Sequence, residues 1–94
     1  MGYHSLRLCA GGGAFEAVPA PRLHMDLRAA RAKLEGSRIP VVDARVMLII
    51  QMEREVTLSR DGRVLIKTRD AQEASAIFGE LRSLLDLPEP EAGG

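Results

Sequence analysis

The chain has one cysteine, no tryptophan and only three aromatic side chains, Tyr3, Phe15 and Phe78. A lone Cys9 cannot close an internal disulfide, which fits a reducing compartment. So few aromatics leave little material for stacking bases or sugars. Net charge is lacking too. Thirteen Lys and Arg cancel thirteen Asp and Glu, so the basic excess expected of a generic nucleic-acid or anionic-membrane binder is missing. The longest apolar run, Val46 to Ile50, is far too short to cross a bilayer. Residues 1 to 20 lack the charged start and continuous apolar core of a signal peptide. These absences predict a soluble, cytoplasmic protein. The 94 residues, 46% of them apolar, suffice for one domain with a single modest core.

What the chain does have is a well-marked hairpin, Glu55 to Thr68, with Asp61-Gly62 at its turn. A two-residue turn would set Leu58 opposite Leu65 and Val56 opposite Lys67, splitting the apolar positions between two faces. A three-residue loop, Arg60-Asp61-Gly62 with a left-handed Gly62, pairs Leu58 with Val64, Val56 with Ile66 and Glu55 with Lys67. The second register puts Val56, Leu58, Val64 and Ile66 on one face, and is preferred for that reason.

Around this hairpin the order is strand, helix, strands, helix. Ala14 to Val18 reads as a short strand with Phe15 and Ala17 inward, stopped by prolines. Asp26 caps a first helix whose Leu27, Ala30 and Leu34 share a face and which Gly36 closes. After Val41-Val42 and an interruption at Asp43-Ala44-Arg45, Val46 to Met52 reads as a strand. A two-residue connection at Glu53-Arg54 pairs Ile49 with Leu58 and Gln51 with Val56, sending Val46, Leu48, Ile50 and Met52 to the opposite face with Leu65. Asp70 and Glu73 have capping-box spacing, and Ala71, Ala74, Ile77, Phe78, Leu81, Leu84 and Leu85 give the second helix a wide apolar stripe. Gly79 within it suggests close packing against a strand. The class predicted is α+β: a small antiparallel sheet, comprising a three-stranded meander and a short N-terminal strand, with two helices on one face. Residues 1–13 are expected to be a flexible N-terminal segment, 14–87 the domain and 88–94 a disordered tail.

Chemistry-bearing motifs are sparse. Gly11-Gly12-Gly13 has neither the Lys-Ser/Thr nor the helix start that a phosphate cradle needs, and reads as a linker. His4, Cys9 and His24 lack the close spacing of a zinc pair. A small thiol or metal enzyme built on Cys9 with His4 or His24 is an alternative that would need them brought together by the fold. Asp61 and Arg63 are explained by turn chemistry. No catalytic residue, cofactor or metal is therefore assigned. Two surfaces are left: the second sheet face with Val46, Leu48, Ile50, Met52 and Leu65, and the basic helix face with Arg28, Arg31 and Lys33. Exposed aliphatics of this kind mark an interface, either with a protein partner or with a second copy.

The ordered series Cys9, Ala14 to Pro19, Asp26-Leu27, then Asp61-Gly62-Arg63-Val64-Leu65-Ile66, then Ala74 to Phe78 resembles the C-terminal segment of adenylyltransferases of the ThiF/MoeB/HesA family, which activate sulfur-carrier proteins. The likeness spans about residues 9 to 85. Ala10-Gly11 stands where that family has Gly-Arg, Ser59-Arg60 where it has Phe-Pro, and Ser75 where its helix has Arg. The family's nucleotide-binding core has no counterpart in the chain, so no catalytic residue is carried over. The resemblance implies a non-catalytic appendage that binds an adenylyltransferase core or a ubiquitin-like sulfur carrier. The element order is also similar to one half of the TATA-binding-protein fold, which would imply a nucleic-acid-binding sheet. Zero net charge and few aromatics weigh against that alternative.

Overall fold

The computed structural model describes residues 2–9 and 11–88. Eight strands and two helices follow in the order β1 (Gly2–Tyr3), β2 (Arg7–Leu8), β3 (Phe15–Ala17), β4 (Pro19–Ala20), α1 (Leu27–Gly36), β5 (Val41–Asp43), β6 (Met47–Gln51), β7 (Glu55–Ser59), β8 (Val64–Ile66) and α2 (Ala71–Leu85). Six strands form one sheet in the order β2-β3-β8-β7-β6-β5, antiparallel throughout, while β1 pairs with β4 alone. Both helices cover the same sheet face, so the α+β class holds.

The β7–β8 hairpin adopts the three-residue loop. Val56 lies opposite Ile66 and Leu58 opposite Val64, and all four are fully buried. Gly62 has φ +89°, as the bulge at this position requires. It is needed for a second reason: a Cβ there would meet Leu23 Cβ at 3.0 Å and Pro19 Cγ at 3.1 Å.

The β6–β7 connection differs from the expected one by a single residue. Gln51 pairs with Glu55, Ile50 with Val56 and Leu48 with Leu58, leaving Met52-Glu53-Arg54 as a three-residue loop. A slip of one residue exchanges the two faces of a strand. Leu48 and Ile50, expected on the open face, are therefore 1% and 0% exposed under the helices. The physical reason is Gln51. The two-residue register would have turned its amide toward the helices, at the cost of burying a polar group. The observed register leaves Gln51 exposed and packs Met52 partly against the core.

The Asp43-Ala44-Arg45 interruption is a hairpin turn that produces β5 as an additional edge strand. The expected flexible N-terminal segment is also part of the fold. β1 pairs with β4, β2 with β3, and Tyr3 is fully buried. Its ring meets Phe78 edge-on, with centroids 5.0 Å apart, and its hydroxyl donates to the Gly62 carbonyl. Of the expected tail, residues 89–94 lie outside the described residues.

Both helices start on aspartates. Asp26 Oδ1 accepts from the Ala29 N–H at 3.1 Å, and Asp70 Oδ1 accepts from Gln72 and Glu73. Glu73 does not reach back to the Asp70 N–H, which donates instead to the Thr68 hydroxyl. Glu73 Oε1 takes the Thr68 hydroxyl at 2.6 Å and Arg54 Nε at 2.8 Å. These bonds, the Thr68 one foremost, hold its carboxyl below the usual carboxylate range. The cap of α2 is thereby tied to the β6–β7 loop. Ala30 and Leu34 of α1 and Ala74, Ile77, Phe78, Leu81 and Leu85 of α2 complete the core.

Gly79 is not held by close packing, because a Cβ there would meet nothing within 4 Å. Gly79→Ala should then recover the helix-propensity deficit of about 1 kcal/mol. A rise in thermal midpoint of about 4 to 8 °C is expected for a domain of this size.

Tyr3 is the only tyrosine, and burial, aided by the negative charge of Asp61, pushes its phenol up to about 12. A raised folded value stabilises below the ordinary pKa near 10 and is lost as pH climbs toward 12. Phenolate absorbance should therefore appear near pH 12 rather than 10. Stability of the wild type, relative to Tyr3→Phe, should fall by roughly 2 kcal/mol across that interval.

Candidate functional site

Two surfaces of the molecule stand out. The first is the sheet face that the helices leave open. Register places Val42, Ile49, Thr57, Leu65, Glu16 and Arg7 in one row across all six strands. Ile49, Met47 and Leu65 are half-buried, and Val42 is 55% exposed. Charge borders this apolar strip on two sides. On one, Lys67 pairs with Glu55 at 2.9 Å. On another, Glu16 is clasped by Arg63 at 2.6 Å and Arg7 at 3.1 Å. Arg63 foremost, then Arg7, holds the Glu16 carboxyl below the usual carboxylate range.

Of the apolar residues read as a free face from the sequence, Leu65 lies on the open face, and Val46 is 53% exposed in the β5–β6 turn. Leu48 and Ile50 belong to the core, and Met52 packs partly on it. Val42, Met47 and Ile49 occupy the open face in their place. The signal that could have found them is again Gln51, whose polarity sets the parity of β6.

The second surface is a groove of about 730 Å³ at the start of α1. Arg28 and Arg31 of the basic helix face line it, and Lys33 does not. The fold adds Arg45 and Arg60, which the sequence reading passed over because they sit in turns far apart in the chain. They are brought together by backbone hydrogen bonds. The Arg60 N–H donates to the Val46 carbonyl at 3.1 Å, joining the two hairpin turns. The Leu23 and Met25 N–H groups donate to the Asp61 and Arg60 carbonyls at 3.0 and 2.7 Å, laying the approach to α1 along the β7–β8 tip.

Arg45 is held in an unusual conformation. Its φ is +71°, at the centre of a three-residue turn closed from the Val46 N–H to the Ala44 carbonyl at 2.9 Å. Asp43 Oδ1 accepts the Arg45 N–H at 2.8 Å and fixes the turn.

The candidate thiol and imidazoles are not gathered. His24 lines the arginine groove, His4 lines a separate small pocket with Arg7 and Glu16, and Cys9 sits in the β2–β3 connection, where its carbonyl accepts the Gly12 N–H. Among the described residues no group of three or more His, Cys, Asp or Glu is placed to hold a metal ion. No helix among them is long and apolar enough to cross a membrane.

Arg45→Gly tests the cost of the turn. Left-handed φ costs a non-glycine residue roughly 1 to 2 kcal/mol, part of which glycine returns through its freer unfolded state. A net gain of about 0.5 to 1 kcal/mol is expected in thermal melts. A loss would show that the arginine side chain contributes more than the strain takes away.

Comparison of the chain with protein-family models, curated proteins and solved structures gives no match.

Proposed function

We propose that the chain is a non-catalytic protein-interaction module, similar to the C-terminal domain of sulfur-carrier-activating adenylyltransferases. It docks an adenylyltransferase core or a ubiquitin-like sulfur carrier on its open sheet face. The observation that carries this reading is the one-sided covering of a six-stranded sheet. Half-buried Met47, Ile49 and Leu65 and exposed Val42 form a strip bordered by the Glu55–Lys67 and Glu16–Arg63 pairs. An apolar centre within a polar rim is the usual anatomy of a protein contact. The ordered likeness from Cys9 to Phe78 supports the choice of partner.

Ile49→Glu tests the face, because the side chain points away from the core and its loss spares the fold. The partners offered are the adenylyltransferase and the ubiquitin-like carrier encoded in the same genome, with complex formation followed by sedimentation. Wild type should form a complex that Ile49→Glu weakens by about 2 kcal/mol or more, roughly 30-fold. Self-association lost in the variant would instead make the face a homodimer contact. Absence of any complex, or salt-sensitive binding of duplex DNA to this face, would overturn the proposed partner.

A further inference from the structure

Unneutralised positive charge converges at one place in this neutral molecule, the groove at the start of α1. Among the described residues Arg28, Arg45 and Arg60 make no ion pair, whereas Arg31 is shared between Glu35 at 3.2 Å and Asp43 at 3.7 Å. The two carboxylates that line the groove are already engaged. Asp26 caps α1 through the Ala29 N–H, and Asp43 holds the Arg45 N–H and Arg31. Three arginines without an ion pair, from three separate chain segments, thus line one volume of about 730 Å³, and with Arg31 they outnumber its two carboxylates by four to two.

The other large charged cleft shows the contrast. It lies at the start of α2 and is lined by Arg54, Lys67 and Arg69. There Arg54 is taken by Glu73 and Lys67 by Glu55, leaving Arg69, among the described residues, as its single cation without an ion pair.

The geometry points to a ligand site: the α1 groove binds a small molecule carrying at least two phosphate groups. A guanidinium presents a rigid fork of donors that matches phosphate oxygens in pairs, and it stays charged at any physiological pH. The amino end of α1 adds its positive dipole on the same side. The volume is several times what a single phosphate needs and falls within the usual range for small-molecule sites. Its remaining lining, Met25, Leu27 and His24, offers aliphatic contact and a single imidazole. The binding energy therefore comes from the phosphates. A long nucleic acid is a poorer fit, because it needs a continuous basic stripe. Here the charge stops at the groove, with Lys33 and Arg38 outside it.

The test is titration of the isotope-labelled chain with pyrophosphate and, separately, with ATP, followed by amide NMR. Saturable shifts are expected at Met25 to Arg28, Arg45 and Arg60, weakening as salt rises. Arg28→Ala and Arg60→Ala should each raise Kd about tenfold or more. Arg45→Gly should do the same without loss of thermal stability, which separates binding from folding. Lys33→Ala, Arg38→Ala and Ile49→Glu should leave Kd unchanged, the last because this site is independent of the open sheet face. Equal affinity for the two ligands would show that phosphate alone is read. Tighter ATP would show that the nucleoside also contacts Met25 and Leu27. Failure of both ligands to saturate at about millimolar concentration, or equal binding by all variants, would overturn the site. So would an acidic peptide or oligonucleotide that shifts these amides when pyrophosphate and ATP do not.

Discussion

The hydrogen bond from the Tyr3 hydroxyl to the Gly62 carbonyl joins residues 59 positions apart at the tip of the β7–β8 hairpin. Four chain segments meet there. Tyr3 arrives from β1 and seats its ring against Phe78 of α2. Pro19 and Leu23 close over Gly62, where any side chain would collide with them. The neighbouring carbonyls of Asp61 and Arg60 take the N–H groups of Leu23 and Met25. A buried carbonyl left without a donor is costly, so the tip, the N-terminal strand and the lead-in to α1 stabilise one another. The start of α1, and with it the arginine groove, inherits its position from this junction.

The sheet has a covered and an open face because two helices suffice for only one. Parity then decides every side chain on every strand. On β7 and β8 the even positions are buried, and on β6 the even positions Leu48 and Ile50 join them. The open face keeps the odd positions of these three strands together with Val42 of β5 and Glu16 of β3, with aliphatics in the middle and ion pairs around them. That composition, apolar at its centre and polar at its rim, is tolerated by water.

Zero net charge conceals an uneven distribution. Among the described residues five of the eleven arginines are paired locally, Arg7 and Arg63 with Glu16, Arg22 with Asp61, Arg54 with Glu73 and Arg31 with Glu35 and Asp43. The groove at α1 gathers three of the unpaired ones, and one of them, Arg45, occupies a backbone conformation that glycine would adopt more easily. Sites that must present a group in a fixed place often carry such strain.

Local chemistry determined much of this protein from the sequence by itself. Asp26 and Asp70 start the helices because a carboxylate satisfies free N–H groups at a helix end. The loop Arg60-Asp61-Gly62 follows from the need to keep Val56, Leu58, Val64 and Ile66 on one face, and the stripe from Ala74 to Leu85 follows from helical period. Tertiary structure alone decided three things. It set the length of the β6–β7 loop, because two- and three-residue connections differ only in whether Gln51 or Ile50 meets the helices. It drew residues 2–8 into the fold, because Tyr3 finds its partners at Gly62 and Phe78, far along the chain. It assembled Arg28, Arg45 and Arg60, because turns remote in sequence become neighbours only when one backbone N–H, that of Arg60, reaches the carbonyl of Val46.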